Sequence, residues 1–472
     1  MTVYDTRRWR LADGAVAHRP STISFYYLLS IASTAAGSFM GVTFGHLVLV
    51  GGWLGALLVG RASLLGGVGL LSPFMFYASF AVKVNLGLVD FLLPAAVVVA
   101  LGVAYRTAER TRLYALPIVF GTPLLIWLAG SFLLTSTILG NEASTSQFAM
   151  DFGKICVGFT MFAVVVVLFR RDLENGSLDL LDAWVAIAVV TGFVAVLNFL
   201  TSPLEGTRVA AGFEDPNLLG IYFVCSLGVV FIRMGILRRG GFPWAVFPLI
   251  LGVLATGSRG SLIALLVLAI LAAFQLAGRS PSGFLLSITG IGASATLVAL
   301  YGERVPALAR ILEEGGDVQS DVRFTLWGAA LDLWYSNPVF GIGLGQFASH
   351  SPEYTGLPFP LLAHNTFLSF LAEAGVFGLL LFALPFVSLL VCLATQSKHY
   401  PTSGLVLACW ISVLVNMVSI NAQNARFIWV LLAASFVYWV HMRPATHTMP
   451  QVAEPHLTSR SRRLLDDRHR EY

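Results

Sequence analysis

The sequence predicts an all-α polytopic integral membrane protein of about 12 to 14 transmembrane helices, with one long extracytoplasmic loop that contains short helices of its own. Three observations predict this. Hydrophobic residues make up 57% of the 472 and charged residues only 11%, with a mean hydropathy of +0.79, where a soluble protein carries roughly a quarter charged residues. Apolar runs of near-bilayer length follow one another along almost the whole chain, with one long interruption at residues 302–365. Basic residues collect in alternate connections between the runs, the asymmetry expected of a multi-pass protein whose positive loops stay inside.

Taken in order, residues 1–22 carry Arg7, Arg8, Arg10 and Arg19 ahead of an apolar run that is too long for a signal peptide and has no clear small-residue cleavage site. They read as an uncleaved cytoplasmic N-terminus. Residues 23–60 exceed one span and have a Gly-rich polar middle at Gly37, Gly41, Gly45 and His46, which predicts two short spans. Further spans are expected at 64–81, 86–105, 113–139, 152–169, 178–200, 218–237, 243–256, 262–277 and 284–301. That places about 11 helices in residues 23–301. After the loop, spans at 366–395, 404–420 and 427–440 give about three more within 366–440. Residues 441–472, with Arg460, Arg462, Arg463, Arg468 and Arg470, read as a basic, disordered cytoplasmic tail.

With the N-terminus inside, the cytoplasmic connections carry Arg61; Arg106, Arg110 and Arg112; Arg170 and Arg171; Arg238 and Arg239; Arg279; and Lys398. Both termini are then cytoplasmic and the 302–365 loop lies outside. Its seven acids (Glu303, Glu313, Glu314, Asp317, Asp321, Asp332, Glu353) against three arginines (Arg304, Arg310, Arg323) suit that side. Phe324, Trp327, Leu331 and Trp334 recur at helical spacing and predict a short amphipathic helix, either lying in the outer interface or packed over the bundle.

Several chemistries find no support. Cys156, Cys225, Cys392 and Cys409 all sit in apolar runs without a CxxC or a His neighbour at ligand spacing, so neither a disulfide framework nor a zinc site is indicated. The outside loops contain no Asp-x-Asp pair and no metal-ligand cluster, so metal dependence is disfavoured and no cofactor is expected. FGIGLGQF follows Asn337-Pro338 without a strand–helix context and reads as a bend near the membrane rather than a nucleotide loop. Nothing suggests a nucleic-acid partner.

Single charges at outer helix ends carry the functional signal, because an ionisable group at membrane depth is costly and faces a protein interior or a wet cavity. Arg208 (TRVAAGFEDPN), Arg259 (ATGSRGS), Arg323 (SDVRFTLW) and Arg426 (NAQNARF) stand out. Arg259 lies in a turn of small residues, and a helix starting at Ser261 would aim its free N–H groups outward beside the guanidinium, an anion site. A snorkelling interfacial arginine is the alternative. Asp215, in Asp215-Pro216-Asn217, fits an N-cap better than a catalytic acid, and a local Arg208–Asp215 ion pair would explain both residues.

His364 stands where the loop meets the next span, beside Asn365, and could accept a proton near neutral pH or cap the helix. Asp321 and Glu353 are acids of the same loop that could act with it. Glu373, nine residues on, would be intramembrane and needs a partner.

In this order, RVAAGFEDPN, ATGSRGSL, RFTLWGAALDLWYSNPVFGIGLGQF and HNTFLSFLAEAGVFGLLLF resemble the O-antigen ligase and O-antigen polymerase superfamily of bacterial envelope enzymes, over about residues 208–381. The resemblance implies a metal-independent, inverting glycosyltransferase of the bacterial inner membrane. Such an enzyme moves a saccharide from a polyprenyl (undecaprenyl) diphosphate carrier onto an acceptor hydroxyl at the extracytoplasmic face. The acceptor is a saccharide or lipid A–core, and the surroundings are membrane lipid. It further implies that Arg208 and Arg259 hold the diphosphate, that His364 is catalytic, and that Arg323 corresponds to the arginine opening the loop's helical segment. On the residues themselves, Arg323 joins the diphosphate-binding candidates, Arg259 is a second catalytic candidate, and Asn365, Asp215, Asp321 and Arg426 are candidate supporting residues. A lipid-linked saccharide flippase or transporter, or a protein O-oligosaccharyltransferase, are the alternative functions.

Overall fold

A computed structural model describes residues 20–79, 83–106, 112–137, 144–201, 208–211, 213, 215–237, 243–277 and 318–443. The expectations for the N-terminal segment before residue 20, the span at 284–301, the first part of the long loop and the tail beyond 443 lie outside the described residues.

The described chain is all-helical apart from one small hairpin. The predicted pair of spans in 23–60 is present as α1 (Pro20–Met40) and α2 (Val42–Leu58), packed together where Ser33 Oγ donates to Gly45 O at 2.7 Å. The predicted span at 64–81 is not formed. Helix α3 (Leu64–Leu71) stops after eight residues, because the Ser72-Pro73 step removes an amide and biases its predecessor away from helix. The chain then makes an antiparallel hairpin, β1 (Met75–Ser79) with β2 (Lys83–Gly87), Met75 opposite Gly87 and Ser79 opposite Lys83. A 3-10 turn (Leu88–Phe91) leads into α4 (Leu93–Arg106), which is 14 residues long.

Helices α5 (Arg112–Thr137), α6 (Thr145–Glu174), α7 (Asp179–Thr201), α8 (Pro216–Leu237), α9 (Val246–Ala255) and α10 (Arg259–Ala277) follow. From the long loop come α11 (Val318–Ser336) and α12 (Phe347–Thr355). The chain continues through α13 (Thr366–Ser397), α14 (Pro401–Met417) and α15 (Arg426–His441). Among the described residues, six helices (α1, α5, α6, α7, α8 and α13) are long and apolar enough to cross a membrane, and six shorter apolar helices of 10–17 residues accompany them. This is a polytopic membrane protein, as the composition requires.

The most apolar windows of α8 and α7 are 89% and 78% buried within the protein, against 33% for α13 and 22% for α1, so α8 and α7 form the centre and the other two face outward. α8 packs on α7, α9, α10, α14 and α15. Small residues allow the approach: a Cβ at Gly220 would lie 2.2 Å from Ser261 Oγ of α10, the close packing by which helices associate where lipid supplies no hydrophobic drive.

The bundle has two chemically distinct ends. At one, Arg233 Nε meets Asp182 Oδ1 at 2.6 Å, and Gln396 donates through Nε2 to Trp439 O at 2.9 Å and accepts at Oε1 from Ser403 Oγ at 3.0 Å. Arg170, Arg171, Lys398 and Arg443 belong to this end. At the other end lie the N-termini of α8, α10, α13 and α15, linked through Gly220 and Ser261, Ser261 and Asn416, and Thr366 and Ala422; Arg208, Arg259 and His364 stand at the first three of these starts.

Candidate active site

The site is built on capped helix starts. At α8, Asp215 Oδ1 accepts from Asn217 N (2.8 Å) and Nδ2 (3.0 Å), and Asp215 O accepts from Leu219 N at 3.1 Å, so Asp215 closes the first turn as an N-cap does. Arg208 Nη2 donates to Asn217 Oδ1 at 2.7 Å. The half-buried guanidinium therefore joins the same chain of polar groups through an asparagine.

At α10 the helix begins at Arg259 itself, two residues before the expected start. Gly257 turns the chain at φ 62. Ser258 Oγ accepts from Ser261 N at 3.4 Å and from Ser261 Oγ at 3.0 Å, and Asn416 Nδ2 of α14 donates to Ser261 Oγ at 3.0 Å. Arg259 is thus the first residue past a serine cap, at the positive end of the helix dipole.

At α13, His364 has a left-handed backbone (φ 50), an uncommon state for a side-chain-bearing residue that persists when its surroundings fix it. Asn365 Oδ1 caps Phe367 N and Leu368 N at 3.0 and 3.1 Å. Asn365 N donates to Asn421 Oδ1 at 2.9 Å, and Asn421 Nδ2 donates to Ser369 Oγ at 2.8 Å. Thr366 Oγ1 donates to Ile420 O at 2.7 Å and accepts from Ala422 N at 2.9 Å. The helix start and the connection between α14 and α15 are therefore one polar unit. Sequence reasoning missed Asn217, Asn416 and Asn421; the amide-rich NAQN between two apolar runs was the signal for the last.

The imidazole of His364 is held below the ordinary histidine pKa, first by burial and then by the Arg323 guanidinium, with Asp215 opposing. Those influences bring α8, α11 and α13 to one point. Helix α11 reaches it by packing: Leu326, Ala329, Ala330 and Leu333 are buried with Ile342, Phe347, Ala363 and Ala372, while Phe324 and Tyr335 are 66% and 69% exposed. Of the two placements left open for this helix, it takes the one over the bundle. Asp321 lies in its first turn, with its side chain outside the described residues, and Glu353 is exposed on α12.

Arg426 has a different role from the one expected. Its side chain is 1% exposed and forms a two-point pair with Asp90, Nη2–Oδ2 at 2.8 Å and Nε–Oδ1 at 3.1 Å, while Nη1 donates to Asn424 O at 2.7 Å. It anchors α15 to the turn before α4. The partner carboxylate is 336 residues away in sequence, which is why local inspection set Arg426 beside the other arginines.

The glycines of FGIGLGQF form the bend expected of them and also dock on α13. That helix is broken at Gly375 (φ 68, ψ −174), and its exposed carbonyls are taken up: Ala372 O by Ile342 N and Glu373 O by Gly343 N, both at 2.9 Å, and Ala374 O by Trp127 Nε1 at 2.8 Å. An apolar cavity of about 580 Å³, lined by α5 residues with Phe340 and Leu381, lies beside this break, and none of its lining residues is a candidate site residue.

Buried polar atoms without a hydrogen-bond partner include Trp327 Nε1, one turn from Arg323, and Gln423 Oε1 and Asn424 Oδ1 in the NAQN connection.

Residues 244–383 match the family described as O-antigen ligase. The stretch runs from the start of α9 into α13 and contains Arg259, Arg323, His364, Asn365 and Glu373, while Arg208, Asp215 and Arg426 lie outside it. This match supports the resemblance to the O-antigen ligase and polymerase superfamily. No curated protein matches the chain.

Proposed function

We propose that this chain, a multi-pass membrane protein carrying an O-antigen ligase-type segment, is a metal-independent glycosyltransferase that takes its saccharide from a polyprenyl-diphosphate carrier. The carrying observation is the convergence of Arg208, Arg259, Arg323 and His364 at the end of the bundle where four helices begin. Helix N-termini and guanidinium groups together suit a diphosphate: fork-shaped donors neutralise it through paired hydrogen bonds, and the helix dipoles add favourable potential. Diphosphate is then a competent leaving group without a metal ion.

In the proposed reaction an acceptor hydroxyl attacks the anomeric carbon from the face opposite the diphosphate. A carbon–oxygen bond to the acceptor forms, the bond to the phosphate oxygen breaks with its electrons leaving on the diphosphate, and the configuration inverts. The hydroxyl proton passes to His364, whose depressed basicity keeps the ring neutral and able to accept near pH 7. Arg259 stabilises the developing negative charge. Asn365 and Asp215 hold the helix starts that present these groups. By the positive-inside argument this end faces away from the cytoplasm, and the resemblance to O-antigen ligases suggests the plasma membrane of a bacterium. Acceptors of the same chemical class include a lipid A–core sugar, a growing glycan and a protein hydroxyl.

The test is purified protein with a defined polyprenyl-diphosphate oligosaccharide and candidate acceptors in the presence of EDTA, with product read by mass. Product formed despite the chelator supports the reading and identifies the acceptor; no transfer to any acceptor class overturns it. A flippase is the second reading, favoured by the interruption of α13, since transporters use broken helices. Saccharide-lipid translocation in vesicles without any transfer would select it.

A further inference from the structure

We propose that Glu373 is a positioning residue: its carboxylate, with the break at Gly375, locks the 337–347 segment onto the first part of α13 and so sets Arg323 against His364. What the alignment serves rests on the glycosyl-transfer reading; the lock itself rests on geometry.

The first part of α13 is a short rod running from its Asn365 cap to the break at Gly375, ten residues or about 15 Å at helical rise. Its upper end is fastened to the NAQN connection as described. Its lower end is fastened to the segment that follows α11. Beyond the bonds from Ile342 N and Gly343 N, Val376 N donates to Pro338 O at 3.0 Å. Pro338 O also accepts from Trp334 Nε1 of α11 at 3.1 Å. Glu373 Oε1 accepts from Phe347 N, the first amide of α12, at 2.9 Å. The buried carboxyl group of Glu373 thereby takes up an otherwise unpaired amide at that helix start.

The fit excludes side chains on both partners. A Cβ on Gly375 would lie 2.0 Å from Val339 O, and one on Gly341 (φ 71) would lie 2.4 Å from the Glu373 carbonyl carbon. Two backbones are therefore in direct contact where α13 is open. The remaining neighbours are charged groups of α6: Asp151, whose Oδ2 would be 2.9 Å from a Cβ on Gly345, and Lys154, paired with Asp151 at 2.7 Å.

The consequence follows from connectivity. Arg323 is on α11, His364 immediately precedes the Asn365 cap of α13, and these two helices share the buried cluster of Leu326, Leu333, Ile342, Phe347 and Ala372. Two members of that cluster, Ile342 and Phe347, donate the amides that end on Ala372 O and Glu373 Oε1. Releasing the segment removes the lower clamp on α11 while leaving the Asn365 cap, which follows His364, intact. Arg323 and His364 then lose their register although α11 and the capped start of α13 both stay folded.

The experiment uses the full-length protein in lipid nanodiscs as Glu373→Gln, Glu373→Leu and Gly375→Ala. Amide hydrogen exchange is read over 337–350, with α8 as internal control. Labels at Phe324→Cys and Leu362→Cys in a background lacking the native cysteines report the distance from α11 to the His364-bearing segment that leads into α13. Glu373→Leu and Gly375→Ala, which release the segment by independent routes, are expected to speed exchange over 337–350 by about tenfold or more and to broaden the distance distribution. Both should lower kcat by about tenfold or more with KM within about threefold, the pattern of lost transition-state alignment. Glu373→Gln keeps an acceptor for Phe347 N and should stay within about threefold of wild type in exchange and kcat.

Unchanged exchange in both releasing variants overturns the proposal, as does lost transfer without faster exchange, or Gln behaving as Leu. If Glu373→Leu loosens α8 as well, Gly375→Ala decides. If the wild-type protein transfers no saccharide, the glycosyl-transfer reading falls, and exchange and distance still decide the lock.

Discussion

Two arginine-bearing regions lie at the same end of this bundle and do different things. Around Arg426 a side chain 1% exposed meets an Asp90 side chain 6% exposed in a two-point pair. Around His364 the arginines are half-buried, Arg208 is held through the neutral amide of Asn217, and Arg259 opens a helix beside its serine cap. The first is a buried charge pair tying two distant segments together; the second, in the proposed function, is where an anion is met. The difference is access and the identity of the partner, neither of which is a property of the arginine or its sequence neighbours.

The largest expected effect breaks the sealed region. Arg426→Ala leaves the Asp90 carboxylate buried without its partner, which costs about 3–5 kcal/mol, whereas replacing both with apolar residues of similar volume is nearly neutral. Arg426→Ala and Asp90→Ala should therefore each collapse the yield of folded protein in membranes and lower the unfolding temperature in detergent, and Arg426→Met with Asp90→Leu should recover most of it. Stable single variants that have lost transfer would instead move Arg426 into the site.

At the open region the pattern should invert. Arg259→Ala and His364→Ala are expected to lower transfer by about 100- to 1000-fold, the range for removing a group that stabilises charge or moves a proton in the transition state, while unfolding temperatures stay near wild type. In-membrane yield together with glycan product measures both quantities. Wild-type product levels in both variants would remove these residues from the reaction.

A smaller effect tests whether the arginines must be held together. Gly220 lets α8 approach α10, and a Cβ there would meet Ser261 Oγ at 2.2 Å. Gly220→Val should wedge apart the helices that carry Asn217, the anchor of Arg208, and Arg259. Overpacking of this kind costs about 1–3 kcal/mol, so the protein should fold with a modest drop in unfolding temperature and a raised KM for the diphosphate donor. An unchanged KM would argue that the two arginines act separately.

Much of this arrangement was legible in the sequence because lipid leaves few alternatives: an apolar run of about 20 residues becomes a helix. Even α11, outside those runs, declared itself through Phe324, Trp327, Leu331 and Trp334. Arg208, Arg259, Arg323 and His364 were visible as charges at run ends. What escaped was decided by contacts between distant segments. The break at Gly375 hides inside an unbroken apolar run, and it exists because the 337–347 segment takes up its carbonyls; Glu373 in mid-run was the only local hint. The first hairpin strand, Met75–Ser79, falls within the span expected at 64–81 because its residues are as apolar as a span, although Pro73 marks the stop, and the second strand begins in the connection expected around Lys83. Asp90 could not be matched to Arg426 before the fold set the turn preceding α4 beside the start of α15.

The smallest expected effect sharpens the comparison most finely, because it moves a midpoint rather than an activity. Burial and Arg323 hold the His364 imidazole below its ordinary value, and Asp215 pulls the other way. If the neutral ring accepts the acceptor proton, transfer should rise with pH through a midpoint below the usual histidine range. Arg323→Gln removes a lowering influence and should shift that midpoint up, whatever it does to the maximal rate. Asp215→Asn removes a raising influence and should shift it down, with little cost to the helix start because Asn caps as well as Asp. Stability carries the same sign: the unfolded chain binds the proton more tightly than the folded one, so folding stability falls as pH drops through the ordinary histidine pKa toward the depressed one and is restored above it. A midpoint moving the same way in both variants, or not at all, would mean that His364 does not titrate between Arg323 and Asp215. The imidazole would then belong with Arg426 as part of the frame.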